Sequence, residues 1–180
     1  MDEFLDLLRR HSVEVVADVR SHPYSKYATW FDHEPLLKAL RAAGLQYVYF
    51  GVELGGRPRG DAYYDAEGRV LYDKVAESSA FQEGLARLEA GLRQSVVAML
   101  CSEEDPAGCH RRLLLGRVLA ERGVAVSHIR GDGRLQTEVE VAAAEPGANQ
   151  LGLFDEIEAP EWKSIPSVSP KKRQNSSSAF

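Results

Sequence analysis

The stretch "SVVAMLCSEEDPAGCHRRLLLGRVLAERG" (95–123) holds the junction on which the reading of the fold turns. It opens on a short apolar run rich in valine, breaks into the acidic turn Ser102 to Asp105, and resumes with apolar residues at helical spacing until Gly123 stops it. A strand, a polar connection and an amphipathic helix make one β–α unit.

The same alternation extends outward in both directions. Strand-like segments fall at 12–20, 46–51, 95–102 and 124–130, and helix-like ones at 2–11, 33–44, 79–93 and 109–123. Strands alternating with amphipathic helices predict an α/β domain, with a mostly parallel sheet covered by helices on both faces in a Rossmann-like three-layer arrangement. Residues 52–78 are glycine-rich and charged, and are expected to form a functional loop rather than core.

Composition sets the outer bounds. The chain has 180 residues, 44% of them hydrophobic, which suits one soluble globular domain. No apolar run approaches the roughly 20 residues of a membrane span. With only two cysteines, a disulfide-built secreted fold is excluded and a reducing cytoplasm is the expected setting. A formal net charge of -5 argues against a surface coated for nucleic acid, though it leaves room for a local basic patch.

Beyond about residue 138 the character changes to prolines, a serine cluster and a Lys-Lys-Arg run. The expected organisation is an α/β domain over 1–138 and a flexible C-terminal tail over 139–180.

In a parallel sheet all strand C-termini share one edge, and ligands bind in the crevice outside it. The four segments end in "DVRSHP", "FGVELGG", "CSEEDP" and "HIRGDG", so Asp18, Arg20, Ser21, Gly55, Gly56, Cys101, Glu103, Cys109, His110, Arg111 and His128 are expected to converge. Asp18 and Arg20 lie two apart on one strand face and can pair, either as a structural anchor or as an oriented anion grip. The "LGGRPRG" segment (54–60) offers glycines for close backbone approach and two arginines, but it matches neither dinucleotide nor P-loop spacing.

Asp105 and Pro106 read as an N-cap and first helical residue, which places Cys109 in the first turn. There the helix dipole, His110 and Arg111 would favour its thiolate. Cys109 is therefore the expected nucleophile, with His110 or His128 as proton carrier, Glu103 or Asp18 as orienting carboxylate, and Arg20 and Arg111 holding an anion. A reversible disulfide with Cys101 is a second chemistry. A zinc site is the weakest, because neighbouring helical residues point about 100° apart and Cys109 and His110 would not share an ion. No metal or cofactor is expected.

Taken together, the "DVR-x-x-P" turn (Asp18 to Pro23), the "LGG" of Leu54 to Gly56 and the "C-x-E-x-D-P-x-x-CHR" block (Cys101 to Arg111) resemble the family known as domain of unknown function 488, over about residues 1–135. The resemblance implies a compact α/β domain whose two cysteines have been suggested as an active site, without an established reaction. It also implies a strand ending in a "T-I-G-H-S"-like turn ahead of the first helix. This chain starts inside that helix, so the sheet is expected to lack an N-terminal strand and Met1 to be an internal methionine.

A second resemblance lies in the tail. "QLGLF" (150–154) is similar to the peptide by which bacterial repair and replication proteins dock on the sliding clamp, with Gln150, Leu153 and Phe154 as anchors. The expected function is a cysteine- and histidine-dependent enzyme acting on an anionic substrate, nucleic acid included. The alternatives are a non-catalytic clamp-docked adaptor or DNA-binding module, and a redox-responsive regulator.

Overall fold

The computed structural model describes residues 1–145 and 162–165. Its centre is a three-stranded parallel sheet in the order β2-β1-β3, formed by β1 (Val15–Asp18), β2 (Gln46–Tyr49) and β3 (Val97–Leu100). Ala17 sits opposite Val48 on one side and Met99 on the other, so all three strands run in step and end level.

The pleat of β1 separates two cores. Val16 faces one way, onto Leu5 and Leu8 of α1 (Asp2–Arg10) and Leu36 and Leu40 of α2 (His33–Ala42). Ala17 and Val19 face the other, onto Tyr72 and Val75 of α3 (Tyr72–Glu77), Phe81 and Leu85 of α4 (Ser79–Leu92), Leu119 of α5 (Arg117–Glu121), and Leu115 in the turn before it. This is the three-layer α/β arrangement that alternating strands and helices predict. Ser78 caps α4, its hydroxyl accepting the Phe81 N–H.

Three expectations change. The segment 124–130 does not become a fourth parallel strand. Its strand β4 (Ser127–Ile129) pairs antiparallel with β5 (Leu135–Thr137) in a separate hairpin. The cause is local: "GDG" follows, Gly133 takes a left-handed φ of 88°, and the Arg130 N–H donates to Arg134 O, closing a tight turn.

Nor is 52–78 merely a loop. Leu54, Val70, Tyr72, Val75 and Ala76 are buried in the main core, and α3 lies within the segment. Its apolar residues are few and spaced among charges, so their periodicity is too short to stand out.

The segment expected as a helix from 109 also starts differently. Asp105 and Pro106 do begin a turn, but a 3₁₀ turn of Pro106–Gly108, with the Asp105 carboxylate accepting from Ala107 N–H. Cys109 is then extended (φ -101°, ψ 136°), and a π-helical stretch, Arg111–Gly116, leads into α5. The Leu113 carbonyl in that stretch accepts the Trp162 indole N–H at 2.7 Å, while the Trp162 carbonyl accepts the Tyr72 N–H at 2.8 Å. Trp162 thereby ties the chain after the α/β unit back onto α3. The helix α6 (Glu138–Ala144) lies almost entirely within the segment expected to be a flexible tail, and it is held by a capping box between Thr137 and Glu140. Among the described residues no helix is long and apolar enough to cross a membrane.

Candidate active site

Because the strands end level, three sequence blocks meet at one edge: Val19 to Tyr24 after β1, Gly55 to Arg57 beyond β2, and Cys101 to His110 after β3. They enclose a cavity of about 280 Å³ lined in part by Arg20, Gly56, Cys101, Glu103 and His110, all expected from the sequence. Ser21, His22, Tyr24, Arg57 and Ser102 complete the wall. His22 and Tyr24 were not singled out by sequence reasoning. Their signal was position alone, directly behind the Asp18–Arg20 pair.

Cys101 directly follows β3 and is half-buried on the cavity wall, whereas Cys109 is 1% exposed and does not line the cavity. The donor atoms of Cys101, Cys109 and His110 all lie within 4.8 Å of one another. The objection that Cys109 and His110 must diverge fails, because Cys109 precedes the helix in extended conformation and its side chain turns toward His110 instead of away. Such a trio can act as a nucleophile with its base, close a disulfide, or hold a soft ion such as zinc.

His110 is oriented by its surroundings. Its Nε2 lies 3.1 Å from the Val19 carbonyl, which can only accept, so Nε2 carries a proton. In the neutral ring Nδ1 is then the bare nitrogen, and it lies 3.5 Å from Cys101 Sγ. The Val19 carbonyl thus fixes the tautomer that can take the Cys101 proton.

The two thiols are shifted in opposite directions. The Cys101 thiol is pulled well below its ordinary value, chiefly by a hydrogen bond from Cys109. Burial opposes this, while His110 and the Glu103 backbone reinforce it. Cys109 is pushed up by the same bond and by burial. The sequence expectation puts the thiolate on Cys109, whereas the two shifts run the other way, down at Cys101 and up at Cys109. At Cys109 the Arg111 N–H does approach Sγ at 3.4 Å, as a helix-start position predicts, but the bond to Cys101 and burial outweigh that contact. Nearby, the buried Tyr72 hydroxyl has no hydrogen-bond partner among the described residues. Burial raises its pKa, and negative charge on the cysteines adds to the rise.

Asp18 and Arg20 form the support behind the cavity. Asp18 is fully buried and accepts from Arg20 Nε (2.8 Å), Arg20 Nη2 (2.6 Å) and the Tyr47 hydroxyl (2.8 Å). Arg20 Nη1 donates to Phe31 O at 2.9 Å. Three of the five guanidinium donors are so occupied, which leaves two for the cavity. Burial alone would lower the Arg20 pKa, and pairing with Asp18 more than offsets it.

The glycines act by close packing. A Cβ on Gly56 would stand 2.6 Å from Cγ of His110, and one on Gly55 would collide with Ser21 Oγ. Gly56→Ala is therefore expected to cost about 1–3 kcal/mol through overpacking and to displace the imidazole. Thermal unfolding together with the rate of Cys101 alkylation checks both effects.

Arg111 and His128 do not join this cavity. They line a separate, more apolar one of about 320 Å³ between β3 and β4, because β4 left the parallel sheet. His128 is buried with Nε2 at 3.4 Å from Glu138. Burial lowers its pKa and Glu138 only partly restores it. A depressed folded pKa means its contribution to stability is complete above the unfolded value of about 6.5 and is lost as pH falls through the folded one. His128→Gln is expected to flatten that part of the acid slope in melting temperature. Gln150, Leu153 and Phe154 lie outside the described residues.

The edge that gathers the Asp-Val-Arg, Leu-Gly-Gly and Cys-His-Arg blocks is also the part of the chain that family comparison recognises. The model of "Domain of unknown function DUF488" matches residues 1–118. The chain belongs to the DUF488 family. The match covers both cysteines and every residue of the cavity wall, but it stops before the β4–β5 hairpin. Comparison with curated proteins and with solved structures returned no match.

Proposed function

We propose that this DUF488 protein is a cysteine-dependent enzyme, with Cys101 as nucleophile, His110 as its base and an anionic group of the substrate held at the cavity mouth. The observation that carries this reading is the Val19 carbonyl on His110 Nε2, which leaves Nδ1 free for Cys101. The Cys101 S–H proton passes to Nδ1 and the sulfur bonds to an electrophilic centre. The bond to the leaving group breaks with its electron pair, and His110 returns the proton to that group. Water, activated by the same imidazole, then releases the second product and regenerates the thiol. Cys109 acts as a positioning residue, since its thiol donates to Cys101.

The anion grip consists of Arg20 and Arg57, with Gly56 and Ser21 shaping the wall. The acidic turn interferes less than its composition suggests. Glu104 and Asp105 are both drawn onto Arg130, at 2.9 and 3.2 Å, which leaves Glu103 on the wall. A competition between two alkylating agents tests the proposal. Relative to free cysteine, Cys101 should favour anionic iodoacetate over neutral iodoacetamide, and Arg57→Gln should erase that preference. Equal preference in wild type and variant would remove the anion grip.

The tail peptide Gln150 to Phe154 supports a docking partner, the bacterial sliding clamp, reached by a segment distinct from the site. Phe154→Ala is expected to abolish binding to purified clamp while leaving Cys101 reactivity unchanged. Retained binding by the variant would dismiss the motif.

A further inference from the structure

The loop that leaves the active site is built to hold aromatic rings in water. Among the described residues, the exposed aromatic side chains are Tyr24, Tyr27 and Trp30, at 71%, 91% and 52%, and all three fall within one short stretch. The loop is nevertheless tightly closed. His33 N–H donates to Pro23 O at 2.9 Å, Ser25 N–H to the Asp32 carboxylate at 2.7 Å, and the Tyr27 and Ala28 N–H groups to Ser25 Oγ. Arg20, on the cavity wall, holds the Phe31 carbonyl at the far end. Phe31 itself turns inward against Phe4, with ring centroids 5.2 Å apart. An ordered loop that buries one aromatic and presents three others marks a binding surface rather than a failure to pack.

The charges beside it point to the kind of ligand. Lys26 lies in the loop itself, Arg57 lines the cavity together with Tyr24, and Arg59 follows two residues on; all three are exposed and take part in no ion pair among the described residues. Rings that stack beside unpaired cations suit a flexible polyanion whose repeating units carry flat faces. The cavity is below the usual range of about 300–1,000 Å³ for ligand pockets, so it takes one unit of such a chain and the neighbouring units must lie along the loop.

We infer that the substrate is a single-stranded nucleic acid, with bases stacked on Tyr24, Tyr27 and Trp30 and phosphates held by Lys26, Arg57 and Arg59. This rests on the reading of the cavity as the reaction centre, and it names the substrate class for that centre. A duplex is disfavoured, because its bases are already stacked on one another and present no free faces to the loop.

The test is fluorescence anisotropy of the full-length protein with fluorescein-labelled dT15 and rU15 at about 50 mM salt. Either strand should bind and quench Trp30 emission, and a 15-base-pair duplex should bind more weakly. Losing a stacked base weakens binding by about 5–150-fold, so Tyr27→Ala/Trp30→Ala should fall in or above that range. Arg57→Gln/Arg59→Gln should reduce the slope of log affinity against log salt by about 0.7 per lost phosphate contact. Alanine at Lys171, Lys172 and Arg173 should leave binding in place. No binding of either strand would overturn the inference, as would binding that survives the aromatic variant and disappears with the tail variant. A reactive Cys101 without strand binding would sink this inference alone, and strand binding with an inert Cys101 would sink only the enzyme reading.

Discussion

Asp18→Ala is expected to destabilise the fold by about 3–5 kcal/mol, the largest loss from any single side chain at the site. Asp18 is fully buried and is the carboxylate that two Arg20 nitrogens and the Tyr47 hydroxyl address together. Removing it leaves a guanidinium, itself only 7% exposed, without a counter-charge. The penalty for that stranded charge exceeds the attraction that was lost, which is why breaking a buried pair costs far more than the pair contributes. Asp18→Asn keeps the shape and one acceptor oxygen, so it should fall between alanine and wild type. Chemical denaturation of the three proteins gives the ordering. If Asp18→Ala unfolds within about 1 kcal/mol of wild type, the pair is not the anchor described here.

Cys101→Ser is the second large effect. It should eliminate thiol labelling of the native protein at pH 6, since the remaining thiol, Cys109, is buried and held protonated. Turnover of any substrate should fall to background with it, because the nucleophile that His110 activates is gone. Cys109 separates positioning from chemistry. Cys109→Ala removes the donor that most lowers the Cys101 pKa, so the Cys101 inflection should rise. Cys109→Ser restores a hydroxyl donor and should bring the inflection part of the way back. Labelling of Cys109 in preference to Cys101 in native wild type would reverse the assignment of roles. Zinc is judged by the same protein: metal analysis showing one ion per chain, with Cys101 protected until chelation, would make the trio a ligand set rather than a nucleophile and its base.

Much of this site was legible before any coordinates, for an identifiable reason. Parallel strands in step must deliver their C-terminal residues to one edge, so Arg20, Gly56, Cys101, Glu103 and His110 were predictable as neighbours from periodicity alone. His128 and Arg111 were misplaced because that rule was extended to a fourth segment whose Gly-Asp-Gly turn specifies a hairpin. A turn of three residues outweighed an apolar run that looked like its predecessors. The opposite shifts of the two cysteines were not legible at all. They depend on whether the helix begins at Pro106 or only after Cys109, a shift of about four residues produced by a 3₁₀ turn standing where the first helical turn was expected. The core contribution of Tyr72 was hidden likewise, its apolar neighbours being too few to show a period.

The central claim is that Cys101, not Cys109, is the thiolate, and the pH dependence of alkylation resolved residue by residue tests it most directly. Native protein is treated briefly with iodoacetamide from pH 4 to 10, and each cysteine's adduct is quantified by peptide mass. The predicted result is fast labelling of Cys101 with an inflection far below the ordinary thiol value of about 8.5, and negligible labelling of Cys109 throughout. An inflection for Cys101 near 8.5, or Cys109 reacting first, would contradict the account.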